Sequence, residues 1–113
     1  MKVELLHIAD CPNTEAARRL LRETLRELGC REKIQEIEVS DSSQAETLSF
    51  PGSPTIRVDD NDVETALPRQ NSYGLACRTY MIDGKRRGFP TQEMIRRAIR
   101  SAVSPAGPEA KRS

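Results

Sequence analysis

Tryptophan is absent from this 113-residue chain, and two tyrosines and two phenylalanines are its only aromatics. With so few rings to stack on bases, a nucleic-acid-binding surface is not expected. Histidine occurs once, at His7. No His/Cys cluster therefore has zinc spacing, and no glycine-rich phosphate loop is present. Neither a metal nor a cofactor is expected. Long hydrophobic runs are missing too: no segment approaches the roughly 18 apolar residues of a membrane span. The opening Met1-Lys2-Val3-Glu4-Leu5-Leu6 is broken by charge and leads to no small-residue cleavage site, so a signal peptide is not expected either. Cysteine is sparse and odd in number, at three. Without export signals this points to the reducing cytoplasm and argues against structural disulfides.

What the chain has in quantity is charge, 31% of residues against 36% apolar. Part of it should be solvated, and its length suits one domain, expected over 1–103, with a disordered tail at 104–113 after Ser104-Pro105-Ala106-Gly107-Pro108. The net charge of +1 hides a segregation. Residues 1–66 hold 8 Lys/Arg against 14 Asp/Glu, a net of −6, and residues 67–113 hold 10 against 3, a net of +7. Such a dipole can steer charged partners to opposite halves of a molecule.

Val3, Leu5, Leu6 and Ile8 form a nearly continuous apolar run, predicting a strand at about 2–8 buried on both faces. Ala16, Ala17, Leu20, Leu21, Leu25 and Leu28 recur at helical spacing, predicting a helix from Pro12 to Leu28 capped by Gly29. Residues 33–39 predict a strand in which Ile37 and Val39 alternate and Ile34 is out of phase. Ser40-Asp41-Ser42-Ser43 offers several N-caps for a short helix over about 42–48. Thr55-Ile56-Arg57-Val58 reads as a third strand. Asp59-Asp60-Asn61-Asp62 should turn the chain away into a polar connection over 61–76, with a fourth strand at 77–82 ended by Asp83-Gly84. Thr91 caps a last helix to Val103, whose apolar face is Met94, Ile95, Ala98, Ile99 and Ala102.

Cys11 falls at the first strand-to-helix junction. The unpaired backbone N–H groups of a helix's first turn stabilise negative charge there and favour a thiolate, while the carboxylate of Asp10 one residue away opposes it. Thr14 stands where a Cys-X-X-Cys motif would place its second thiol. It is positioned to hydrogen-bond the sulfur but not to resolve a mixed disulfide. Cys30, beyond the far end of the helix, lies over about 20 Å away and is expected to be a bystander. Cys77 depends on its strand: a regular strand puts it about 17–20 Å from Cys11, whereas a connection folded back over the cysteine loop lets the sulfurs meet. The regular strand is the simpler expectation. A solvated side chain is expected for Arg78. His7, in the first strand, is expected to be a hydrogen-bonded core residue rather than a ligand or base.

The order β-α-β-α-β-β-α, with Cys11-Pro12 ending the first strand and Gly52-Ser53-Pro54-Thr55 opening the third, resembles the thioredoxin-like fold over about residues 2–103. The Gly-Ser-Pro-Thr turn together with Gly74-Leu75-Ala76-Cys77-Arg78-Thr79-Tyr80 is similar to small bacterial thioredoxin-like proteins, some of which carry the label alkylmercury lyase. The resemblance implies an α/β fold with a four-stranded mixed sheet flanked by helices, and a cis bond before Pro54 with its loop beside Cys11. It also implies that the Ser53 backbone and Pro54 form an edge for an extended thiol substrate; apart from the resemblance, Arg78 as the neighbour of Cys77 could stabilise a thiolate or bind an anionic substrate.

The leading expectation is thus a monothiol protein that acts in thiol–disulfide exchange, or binds a thiol-containing small molecule or protein, through Cys11. One alternative is handling of soft metals or organomercurials by Cys11, Cys77 and Asp10, since soft thiolates prefer such ions. Another is a binding module of the same fold without chemistry.

Overall fold

The computed structural model describes residues 1–64, 75, 76 and 78–103. The expected tail at 104–113 and position 77 lie outside the described residues. The elements run β1 (Val3–His7), α1 (Thr14–Glu27), β2 (Ile34–Glu38), α2 (Ser42–Thr47), β3 (Thr55–Val58), β4 (Asn61–Asp62), β5 (Tyr80–Ile82), β6 (Lys85–Arg87) and α3 (Gln92–Val103). The first four strands form one mixed sheet in the order β2-β1-β3-β4. β1 runs parallel to β2 through the α1 crossover and antiparallel to β3, in the register Leu5 to Ile56.

Burial on both faces of β1 has the cause its apolar run implies. Val3 and Leu5 join Ile56, Val58 and the inner faces of α1 (Ala17, Leu21) and α3 (Ile95, Ile99), whereas Leu6 packs with Val39, Ala45 and Phe50 on the side of α2. The same division explains the phase break in β2. Ile34 packs on the first cluster and Ile37 on the second, because this strand too has apolar neighbours above and below.

α1 ends as expected. Gly29 takes φ +71°, the Cys30 N–H donates to Leu25 O at 2.9 Å and the Gly29 N–H to Arg26 O at 3.1 Å, a paired C-terminal cap that needs a left-handed residue at this position. Its start differs from the expectation. The helix opens at Thr14 rather than Pro12, after a turn in which Asp10 has φ +62° and the Thr14 N–H lies 3.4 Å from Cys11 O. Asn13 is the N-cap without a side-chain capping bond, and a Cβ on Gly88 would collide with the Asn13 amide, which is therefore packed against the loop before α3. For α2 the cap is Asp41, whose Oδ1 accepts the Gln44 N–H at 2.7 Å.

The fourth strand of the sheet is not the expected stretch at 77–82. Asp59 and Asp60, with φ of +51° and +69°, make a two-residue hairpin turn that returns Asn61 opposite Val58 and Asp62 opposite Arg57. Asp59 is held there by its Oδ1, which accepts the Lys2 N–H at 2.7 Å. Tyr80–Ile82 instead pairs with Lys85–Arg87 in a separate two-stranded hairpin.

Candidate functional site

Two junction loops meet at the end of β1. The Ile8 N–H, just before Cys11, donates to Ser53 Oγ at 3.1 Å, and Ser53 is fully buried. The Ser53–Pro54 bond is cis. Cys11 is half-buried and lines an open depression of about 370 Å³ together with Asp10, Thr14 and His7. Thr14 is 8% exposed and its Oγ1 is buried without a hydrogen-bond partner among the described residues. Thr14 thus lines the same depression as the cysteine while the capacity of its hydroxyl is unspent among the described residues, where most buried polar atoms are satisfied.

The edge expected to receive a substrate is occupied by the chain itself. The Ser53 N–H donates to Ala76 O at 2.8 Å, and Ser53 O accepts the Arg78 N–H at 3.0 Å. Gly52 makes this approach possible: at φ +141° a Cβ would lie 2.7 Å from Arg78 Cβ. Position 77, between the two residues clasped to Ser53, lies outside the described residues, as does the expected role of Cys77.

Arg78 is not the solvated arginine of the expectation. Its side chain is 4% exposed. Nη1 bonds Asp62 Oδ2 at 2.8 Å and Thr55 Oγ1 at 3.0 Å, and the guanidinium carbon lies 4.3 Å from the Tyr80 ring centroid. The Tyr80 hydroxyl donates to Pro54 O at 2.6 Å. Burial, reinforced by Asp62 and Glu64 and opposed by Arg78, pushes the Tyr80 phenol above its ordinary range. The signal for this clasp was the spacing of Arg78 and Tyr80, which in extended chain puts both side chains on one face. The hairpin that supplies Asp62 was not anticipated.

The walls of the depression carry His7, expected as a hydrogen-bonded core residue, and Arg18, which the sequence motifs did not single out. His7 is half-buried, with Nδ1 3.3 Å from Ile8 O and Nε2 3.8 Å from Glu36 Oε1. Arg18 grips Glu36 through Nε at 2.7 Å and Nη2 at 2.8 Å, and Nη1 bonds Glu15. The bidentate pair holds the Glu36 carboxyl below the usual carboxylate range. Cys30, distant along α1, lines a different depression of about 470 Å³ bordered by Arg22, Arg26, Arg31 and Lys33. Among the described residues no group of three His, Cys, Asp or Glu side chains is arranged to hold a metal ion, and no helix is long and apolar enough to cross a membrane.

No curated protein and no solved structure matches the chain. A family model does, over residues 11–99, which takes in Cys11, the Ser53–Pro54 loop, the Arg78 clasp and most of α3. The chain thus belongs to the DUF2703 family, described as a domain of unknown function.

Proposed function

We propose that the chain is a thioredoxin-like monothiol protein in which Cys11 exchanges with disulfides or binds thiol-containing molecules. The observation that carries this reading is the pairing, in one open depression at the start of α1, of a half-buried cysteine with Thr14, whose buried hydroxyl has no hydrogen-bond partner among the described residues. The first-turn N–H groups of α1, which opens three residues after Cys11, favour negative charge at that end of the helix, and the Thr14 hydroxyl, turned toward the sulfur, would be a donor to it. Ser53 contributes by fixing the cysteine loop through Ile8. Pro54 acts through its carbonyl, held by Tyr80, and Arg78 supports the loop from behind.

Because Ser53 already pairs with Ala76 and Arg78, an extended substrate reaches Cys11 from the side of Thr14 and Asp10. The test is turnover of a neutral disulfide, hydroxyethyl disulfide, with an external thiol as reductant. Cys11→Ser is expected to abolish the protein-dependent rate while Cys30→Ser retains it; equal rates for the wild type and Cys11→Ser would dismiss the reading.

One observation favours a second reading, soft-metal or organomercurial handling by Cys11, Cys77 and Asp10. Both chain neighbours of position 77 are bonded to Ser53, the residue that also holds the Cys11 loop. A mercurial titrated into the protein would then bind through two thiols, with a stoichiometry and affinity lowered by Cys77→Ser as much as by Cys11→Ser.

A further inference from the structure

His7, the one histidine of the chain, stands where the Cys11 depression meets the sheet. It is the last residue of β1, whose parallel pairing with β2 sets Leu5 opposite Glu36 and His7 opposite Glu38. Residues paired in this way share a face of the sheet, here the face on which Leu5 joins Ala17 and Leu21 of α1. His7 is therefore flanked by two carboxylates of β2.

The other charges around it come from α1 and from the loop after β1. Arg18 of α1 grips both oxygens of Glu36 and also bonds Glu15, and the loop adds Asp10 and Cys11. Glu36 Oε1, which accepts Arg18 Nη2 at 2.8 Å, lies 3.8 Å from His7 Nε2. One carboxylate thus faces both side chains: Arg18, and to a smaller extent His7 and Arg22, hold it below the usual carboxylate range. Across the ring, Nδ1 lies 3.3 Å from Ile8 O. Each ring nitrogen faces an oxygen that only accepts, so the neutral ring has a donor for one of them and the imidazolium a donor for both.

As long as His7 is neutral, the residues lining the depression include the carboxylates of Asp10, Glu15 and Glu38 and a single cation, Arg18, already bound by Glu15 and Glu36. A proton on His7 adds a second cation to that lining.

We propose that His7 is the proton switch of the Cys11 site: protonated, it favours the Cys11 thiolate, and neutral, it leaves Cys11 to the surrounding carboxylates. This rests on the thiol reading of Cys11 and adds to it a mode of regulation. His7 acts through its charge and not by touching substrate. Four residues of chain reach at most about 14 Å, and both side chains line the one depression. A unit charge at about 8–10 Å changes a thiolate fraction about twofold through water and about tenfold where protein intervenes. Part of that gain is lost because a more acidic thiol gives a weaker nucleophile, which leaves a step in rate of about two- to threefold.

The proton on His7 comes from solvent, and the exchange keeps its ordinary course. The Cys11 thiolate attacks one sulfur of a disulfide, the S–S bond of the reagent breaks and a mixed disulfide forms. The other half leaves as a thiolate that takes up a proton, its reduction balancing the oxidation of Cys11.

The experiment treats the full chain with hydroxyethyl disulfide, a neutral reagent, and follows each cysteine by peptide mass mapping over about pH 5–8, the range in which a histidine exchanges its proton. The protonation of His7 is read separately from its ring proton resonance, which in a chain with one histidine has a single source. As pH falls, the Cys11 rate is expected to drop less than a lone thiol's would, by the two- to threefold step, across the interval in which His7 gains its proton. His7→Gln, which keeps a hydrogen-bonding side chain without the titration, removes the step, and Cys30 shows none in either protein. A wild-type Cys11 profile that follows a single thiol titration through the measured His7 midpoint would overturn the switch and leave the thiol reading intact, whether or not His7→Gln folds. So would a step that survives His7→Gln. A rate at Cys11 no higher than at Cys30 throughout would remove that reading and the switch with it.

Discussion

Thr14 is the residue at which chemistry at Cys11 separates from packing. Replacing its hydroxyl by a methyl group, in Thr14→Val, removes a buried polar atom that makes no bond among the described residues. Stability is therefore expected to hold or rise by up to about 1 kcal/mol. If the hydroxyl serves the sulfur or its substrate, disulfide exchange at Cys11 slows severalfold in the same protein. Urea unfolding and exchange rate measured together check it; a more stable variant with an unchanged rate would leave Thr14 a packing residue.

Arg78 predicts the opposite balance. Arg78→Met keeps the volume but strands the partly buried Asp62 carboxylate and removes the cation from the Tyr80 ring. A loss of about 2–3 kcal/mol is expected, at or below the range for breaking a buried pair because Asp62 retains some water, and urea midpoints measure it. Tyr80 adds a pH dependence. Its phenol is raised above its ordinary value near 10, chiefly by burial, so the folded state disfavours the phenolate. The associated stability is whole below the unfolded pKa and drains away as pH rises beyond it. Tyrosinate absorbance followed alongside circular dichroism should show Tyr80 ionising only as the fold is lost.

At the scale of elements, the β3–β4 hairpin is the informative case. A turn with both central residues at positive φ is best served by Asn-Gly or Asp-Gly, and this chain uses Asp59-Asp60. Asp60→Gly is expected to stabilise by about 0.5 kcal/mol: relief of the left-handed backbone outweighs the exposed Lys2–Asp60 pair. Thermal unfolding reads the sign. The same turn shows why the fourth strand was misplaced. Four acidic or amide residues in a row read as a loop, and a two-residue strand is too short to show periodicity, so Asn61–Asp62 was legible only through backbone dihedrals.

Where apolar spacing was dense, in β1, α1 and α3, sequence and structure agree on the elements and their buried faces. The disagreement over the start of α1 is tertiary. Pro12 is well suited to a first helical position, but the left-handed Asp10 and the packing of Asn13 against Gly88 delay the helix to Thr14. Arg78 was misread for a related reason: an arginine looks solvated until a distant Asp62 and a nearby ring are known to enclose it.

For the whole molecule, the segregation of charge along the chain takes on a local meaning. The acidic excess of residues 1–66 includes the carboxylates around Cys11, while an island of four cations within that acidic half surrounds Cys30. Net charge alone would have assigned both cysteines the same acidic setting; side-chain placement separates them. The cis bond before Pro54 and the meeting of its loop with the end of β1 at Ile8 accord with what the resemblance carried by Cys11-Pro12 and Gly52-Ser53-Pro54-Thr55 implied. The clasp of Ala76 and Arg78 on Ser53 was not legible in the sequence, because backbone pairing across more than twenty residues leaves no local pattern.

The central claim is that Cys11 is the reactive thiol. It is tested most directly by the initial rates at which Cys11 and Cys30 of the native protein form mixed disulfides with a neutral disulfide, a reagent blind to the charge around either. A rate at Cys11 several times that at Cys30 is the predicted result. A rate at Cys11 equal to or below that of Cys30 would contradict it.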